Sequence, residues 1–381
     1  MTIYLDHAAA TPLDASVLAA MLPYFVDAFY NPSSPYAPAV AVRREYEAAK
    51  ETIARCIGAR SGEIIMTAGA TESVNLAFGA GQGHVIVSAI EHQSVLEAAK
   101  RSDHSIVAAN AQGHVLLSDL SAAIRPDTWL ISIGLANNEI GTVQPLSKIA
   151  EIIKVVRAER LASGNQTPLY LHSDASQGAG QLDLHVARLG VDMLTLNAAK
   201  VYGPKQVGVL YAARSVDVQP QIVGGGQERG LRSGTENVAG VVGMATALKT
   251  ADTHRHQEVV RLSDLRDTLQ RQLADAFPDA VVSGHPKHRL SSHLHISFPG
   301  IDAERLVFGL EMRGVLVATG SACAANKGTR SHVLTAIGLD DATADGSLRI
   351  SLGKTNDEQQ IRQAAEHIIA EVSREKERMA K

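Results

Sequence analysis

Lys200 closes an apolar run, Val191-Asp-Met-Leu-Thr-Leu-Asn-Ala-Ala-Lys200, and is followed by Gly203 and Pro204. A lysine placed directly after a buried strand faces the ligand edge of a sheet, where its amine can form a reversible imine with an aldehyde. The glycine and proline fix a tight turn behind it, which favours a held amine over a solvated surface lysine. Asp174, in His172-Ser-Asp-Ala-Ser-Gln-Gly178, also follows an apolar run. A carboxylate there can pair with a protonated heterocyclic nitrogen, and Gln177 can hydrogen-bond a phenolic oxygen. Without Lys200, Asp174 would read as a helix cap.

Two further loops belong with these. Thr67-Ala-Gly-Ala-Thr-Glu-Ser73 leads from a strand into a helix whose free N–H groups can receive a phosphate at Ala70 and Thr71, although an ordinary turn capped by Thr71 has the same pattern. Glu91-His92 follows the run His84–Ser88, and the His92 imidazole can stack on an aromatic ring and move protons near neutral pH. An amine, a carboxylate, an anion cradle and an imidazole at four strand ends are together what a pyridoxal 5'-phosphate site requires.

These loops need a scaffold. Short apolar runs at Glu63–Thr67, His84–Ser88, Trp129–Ile133 and Pro168–His172 read as buried strands, separated by segments of helical period such as Val42–Ile57 and Leu146–Ala162, each stopped by a glycine. Alternating strand and helix predicts an α/β fold with a mostly parallel, helix-covered sheet and ligands beyond the carboxyl ends of its strands. Near residue 250 the texture changes to a polar helix over Thr253–Ala276, strands at Leu294–Phe298 and Val315–Val317, and a charged helix from Asp357. The expected organisation is a large domain over 14–251 and a smaller α+β domain formed by 1–13 and 252–381.

With 381 residues, 45% hydrophobic and 20% charged, the chain can bury cores for two domains. Its 36 basic and 40 acidic residues leave a formal net charge of −4, which supplies no field for direct nucleic-acid binding. Only Cys56 and Cys323 occur, without disulfide or metal-ligand spacing, so a reducing compartment and no metal site are expected. No membrane-spanning run or secretory leader is legible, and the expectation is a cytoplasmic protein.

At these residues the chain resembles the cysteine desulfurase family of the class V aminotransferase group, whose members are fold type I pyridoxal phosphate enzymes. The resemblance is carried by Tyr4-Leu-Asp-His-Ala-Ala-Ala-Thr-Pro12, Asn31-Pro-Ser-Ser34, Gly69-Ala-Thr-Glu72, Glu91-His92, Asn137-Asn-Glu-Ile-Gly141, Asp174-Ala-Ser-Gln177, Lys200-Val-Tyr-Gly-Pro204, Arg232-Ser-Gly-Thr235 and Gly320-Ser-Ala-Cys323, in that order. It implies that Ala70, Thr71, Asn138 and Gln177 contact the cofactor, that Asp174 pairs with its ring nitrogen, and that Lys200 carries it covalently. Thr235 would reach the cofactor phosphate of the partner subunit in a homodimer. Arg349, inside Ser347-Leu-Arg-Ile-Ser351, would clamp the carboxylate of L-cysteine, assisted by Asn31.

Cys323 decides which reaction the resemblance implies. Its thiolate would take the sulfur of bound cysteine as a persulfide, releasing alanine, with His92 handling the thiol proton. The branch with this Gly-Ser-Ala-Cys loop passes sulfur to iron-sulfur scaffold proteins and to tRNA thiolation, so sulfur-accepting proteins are implied partners. Two positions depart from the family pattern: Asn197 and Ala199 stand where a serine and a histidine usually flank the phosphate, and of these Asn197 can still donate through its amide. Tyr36 likewise replaces a more usual histidine. A selenocysteine lyase, an aminotransferase of the same class, or a catalytically weak sulfur-transfer partner are the competing readings; an aminotransferase has no use for Cys323.

Overall fold

The computed structural model describes residues 2–320 and 330–380. Its strands are β1 (Ile3–Tyr4), β2 (Ile64–Thr67), β3 (His84–Ser88), β4 (His104–Val107), β5 (Thr128–Ser132), β6 (Tyr170–Asp174), β7 (Met193–Asn197), β8 (Gly208–Ala212), β9 (Val281–Ser283), β10 (His293–Ser297), β11 (Val315–Leu316) and β12 (Ser347–Ser351). Seven of them form one sheet in the order β2-β8-β7-β6-β5-β3-β4. Every neighbouring pair from β7 through β4 is parallel, and β8 alone runs against both its neighbours.

Strands β2, β3, β5 and β8 are buried along their whole length, because helices cover both faces. One face packs Ile86, Ile131, Leu171 and Leu194 against the helices Ala37–Cys56, Leu146–Ser163 and the start of Val238–Ala276. The other packs Val85, Val87, Leu130 and Met193 against Ala70–Phe78 and Gln93–Ala99. That is why these strands read as continuous apolar runs and not as alternating ones.

A second core gathers around the antiparallel sheet β12-β10-β9, with Leu294, Ile296, Leu348 and Ile350 packed on the helices Ala303–Met312 and Glu358–Met379. The parallel pair β1 and β11 ties the first residues of the chain to this region.

The helix expected at Thr253–Ala276 is longer than the sequence suggests, running unbroken over Val238–Ala276. Its first half buries Val241, Met244 and Leu248 in the large core, and its last half buries Leu262, Leu269 and Leu273 in the small one. The polar stretch between them marks a change of packing partner within one helix. No helix among the described residues is long and apolar enough to cross a membrane.

Candidate active site

The carboxyl ends of β2, β3, β5, β6 and β7 open on one cavity of about 220 Å³, lined among others by Ala70, Thr71, His92, Asn138, Asp174, Gln177, Asn197, Lys200 and Arg349. Most of the residues singled out in the sequence therefore meet in one place. Asn31 and Thr235 are exposed and do not line this cavity, and Asn31 spends its carboxamide oxygen on the Ser33 N–H at 2.9 Å. Cys323 lies outside the described residues.

Lys200 ends a short 3-10 turn, Ala198–Lys200, directly after β7. Its Nζ donates to the carbonyls of Ala8 and Ala9 at 2.8 and 2.7 Å, and Gln177 Nε2 donates to the Ala8 carbonyl at 3.0 Å. The Ala8 N–H is held in turn by Ser351 Oγ at 2.9 Å, so the amine is seated on a segment anchored to the smaller sheet. Thr11 fixes the turn from the same side, its N–H and Oγ1 both donating to the Ala199 carbonyl. Asn197, which lines the cavity, accepts from the Ala199 N–H at 3.1 Å through its oxygen, which leaves its amide nitrogen to donate.

Asp174 is the last residue of β6, one position inside the strand, and its Oδ1 accepts from the Ser176 N–H at 3.0 Å. The helix Ala70–Phe78 starts at Gly69, with φ 140°, and no side chain caps it. Gly69 and not Thr71 is the N-cap, so the alternative of a turn capped by Thr71 is not what forms, and Ala70 and Thr71, in the first turn with its free N–H groups, line the cavity. A Cβ on Gly69 would meet nothing within 4 Å, so open space adjoins those donors.

His92 is the N-cap of the helix Gln93–Ala99 and its Nδ1 accepts from the Ser94 N–H at 3.1 Å. That bond places the proton of the neutral ring on Nε2. Burial lowers the His92 pKa, with nearby Asp174 opposing the shift.

Arg349, in the middle of β12, is only 2% exposed. Its Nη2 donates to Asp6 Oδ1 at 2.6 Å, while its Nε is buried without a hydrogen-bond partner among the described residues. The sequence suggested only the substrate carboxylate as a partner for this guanidinium, and Asp6, 343 residues away, was not anticipated.

Two buried carboxyl groups beside the cavity were also missed. Glu91 accepts from Ser88 Oγ and from the Gly134 N–H, and burial, with Asp174 nearby, pushes its carboxyl up to about 7. Glu139 accepts from Ser331 Oγ at 2.6 Å, and burial raises its pKa against the pull of Arg349. Cys56 is half-buried at the end of its helix, and desolvation keeps the thiol protonated by raising it to about 11. No group of three or more His, Cys, Asp or Glu among the described residues could hold a metal ion.

Residues 3–363 match the Aminotransferase class-V family. Cysteine desulfurase IscS of Dictyoglomus turgidum is 39% identical over 92% of this chain and 89% of its own length, and cysteine desulfurase IscS 1 of Archaeoglobus fulgidus is 39% identical over 94% of each chain. Among solved structures, a NifS-like protein superposes with a TM-score of 0.88 at 33% identity, over 98% of this chain and all of that one. A protein named SspA, solved in complex with cysteine, superposes at 0.77 and 34% identity over 92% of this chain and 99% of its own. Enzymes of this kind depend on pyridoxal phosphate as a class. The chain belongs to the cysteine desulfurase family of the class-V aminotransferase group.

Proposed function

We propose that this chain is a pyridoxal 5'-phosphate-dependent cysteine desulfurase that converts L-cysteine to L-alanine and leaves a persulfide on Cys323. The observation that carries the reading is the single cavity in which Lys200, Asp174, His92 and Arg349 meet. Relatives named cysteine desulfurases and a similar protein solved with cysteine support it.

The residues present fit the cofactor. An uncapped helix N-terminus at Ala70 and Thr71, open beside Gly69, suits the phosphate, helped by the Asn197 amide and by Thr235 of a second subunit. Asp174 suits the ring nitrogen, Gln177 and Asn138 the ring's polar edge, and Lys200 the aldehyde. When bound, pyridoxal phosphate supplies the electron sink for negative charge at the substrate's alpha carbon.

The remaining steps fall to side chains of this protein. Arg349, with Asn31, holds the substrate carboxylate. Lys200 would take the alpha proton on Nζ and later return a proton to the product. His92 holds the thiol proton on its ring. Cys323 attacks the substrate sulfur: an S–S bond forms, the C–S bond breaks, and its electron pair stays with the carbon skeleton that leaves as alanine after protonation.

A homodimer follows from the role given to Thr235. An apolar surface of Leu18, Leu22, Phe25, Val26 and Phe29, each at least 44% exposed, supports it, since monomers seldom leave such patches open. Sulfur-accepting proteins, including iron-sulfur scaffolds, are the expected partners, in a cytoplasm that keeps both thiols reduced. Residues 14–251 and the remainder are read as two domains, in keeping with their separate cores.

The test is incubation of the pyridoxal phosphate-loaded protein with L-cysteine, with alanine quantified and Cys323 examined by mass spectrometry for one added sulfur. Alanine and the persulfide are expected for the natural chain and neither for Cys323→Ser or Lys200→Ala. Cofactor binding without either product would overturn the reading and turn attention to selenocysteine and keto-acid substrates.

A further inference from the structure

Glu91 stands on the cavity wall beside His92 but has no part in the chemistry above. Its side chain is 4% exposed, with Ser88 Oγ donating to Oε1 at 2.6 Å and the Gly134 N–H donating to both oxygens at 3.0 Å. The register between β3 and β5 ends at Val87 and Ser132, so the carboxyl group adds a link between the two strand ends beyond the backbone ladder. One residue on, the Leu135 N–H donates to the Asp174 carbonyl at 2.9 Å. A continuous path of contacts thus runs from Glu91 through Gly134 and Leu135 to Asp174.

Gly134 is the close point of that path, since a Cβ there would lie 3.1 Å from Glu91 Oε2 and 3.7 Å from the Asp174 carbonyl. The main chain leading to His92 is held separately: His332 Nε2 donates to the Glu91 carbonyl at 2.9 Å and Asn137 Nδ2 to the Ile90 carbonyl at 2.8 Å. A buried carboxyl so close to Asp174 is a costly way to join two strands if stability is its only purpose. Its titration range near neutrality places its proton under the influence of whatever charge occupies the cavity.

We propose that Glu91 is a positioning residue, whose carboxyl group, acting through Gly134, sets the spacing between His92 and Asp174 and so the seat of the cofactor ring. The inference rests on the reading of the cavity as a pyridoxal phosphate site. It concerns residues that flank the ring and not the covalent attachment at Lys200.

The experiment compares Glu91→Gln, Glu91→Ala and Gly134→Ala with the natural chain by pyridoxal phosphate Kd and by the visible absorption of bound cofactor across the neutral pH range. Glu91→Ala and Gly134→Ala are expected to weaken Kd by roughly tenfold or more and to shift the absorption maximum. Glu91→Gln, which keeps the shape and one acceptor, restores Kd to within roughly threefold but loses the change in absorption that follows titration near neutrality. Natural Kd and spectrum in Glu91→Ala, or failure of glutamine to restore binding, would overturn the proposal. Should Glu91→Ala not fold, Glu91→Gln decides, because an unchanged absorption–pH profile overturns it as well. A natural chain that binds no pyridoxal phosphate would instead sink the reading of the site itself.

Discussion

Arg349 and Asp6 form a buried pair at 2.6 Å, with side chains 2% and 19% exposed. The carboxylate neutralises a guanidinium that β12 carries into the interior, yet it engages only Nη2, and Nε has no hydrogen-bond partner among the described residues. If Arg349 serves as the proposed clamp, the substrate carboxylate would meet a fork already oriented by Asp6.

Asp6→Asn keeps the shape but removes the charge that orients the fork, and Arg349→Lys keeps the charge but removes the fork. Both are expected to raise KM for L-cysteine, Arg349→Lys by at least roughly tenfold, equivalent to about 1.4 kcal/mol. Asp6→Ala additionally leaves a buried cation unpaired and should destabilise the chain by about 3 kcal/mol in denaturant unfolding, the low end for buried pairs because Asp6 is partly exposed. Unchanged KM in both conservative variants would remove Arg349 from substrate binding.

The contrast between Arg349 and Lys200 shows what a sequence discloses. Asp174 ends a largely buried strand and Lys200 and His92 follow buried ones, so the apolar run and the polar residue near its end are both visible locally. Asp6 and the Glu91 carboxyl owe their roles to partners 343 and 43 residues away, a relation that no local pattern encodes. The helix Val238–Ala276 was half legible for a related reason, since its polar middle looks like a boundary when the packing partner is unknown. Thr235 and Asn31 lie off the cavity of their own chain, and the role given to Thr235 needs a second subunit.

Lys200 Nζ is seated on the Ala8 and Ala9 carbonyls, with the apolar β7 behind it. Borohydride reduction of the cofactor-loaded protein should add the mass of reduced pyridoxal phosphate to the peptide containing Lys200 and to no other. Lys200→Ala should take up no covalent cofactor and bind it at least roughly tenfold more weakly. Label on a different lysine, Lys205 included, would displace Lys200 from the mechanism.

Two buried groups give the apoprotein opposite pH responses. His172 is fully buried between Ser132 Oγ and Thr195 Oγ1, and desolvation depresses it from 6.5 to about 4. Its contribution is present above pH 6.5 and is lost as pH falls through about 4. Glu91 is raised from 4.5 to about 7, so the stability of its buried neutral form is present below pH 4.5 and is lost as pH rises through about 7. Each shift corresponds to an effect on the order of 3 kcal/mol. Denaturant unfolding at a series of pH values should show a smaller loss of stability as pH rises from 4.5 to about 7 in Glu91→Gln and a smaller loss as pH falls from 6.5 to about 4 in His172→Gln. The acid limb should persist in part, because burial also depresses His293 and His295, to about 3. Parallel pH curves for the natural chain and Glu91→Gln between pH 4.5 and about 7 would refute the role given to Glu91.

The loop that carries Thr235 depends on a different buried pair, Lys50 and Glu228, with side chains 5% and 4% exposed. Lys50 Nζ reaches Glu228 Oε1 and Oε2 at 3.1 and 2.9 Å, the Met66 N–H donates to Oε2 at 2.9 Å, and Tyr46 Oη donates to Oε1. Glu228 and Arg229 adopt φ of 48° and 60°, a region costly for residues with a Cβ, and the four hydrogen bonds that three donors make to the Glu228 carboxylate offset that strain. Lys50→Met leaves the carboxylate buried without its cation and should cost roughly 3 to 5 kcal/mol in denaturant unfolding. Lys50→Met combined with Glu228→Gln should cost less than the sum of the two single changes, because the second removes the charge that the first strands. If the loop serves the partner subunit's phosphate site, the double variant should also bind pyridoxal phosphate more weakly while its dimer persists in sedimentation. Additive costs would mean that Lys50 and Glu228 act independently, and natural cofactor affinity in the double variant would detach this anchor from the phosphate site.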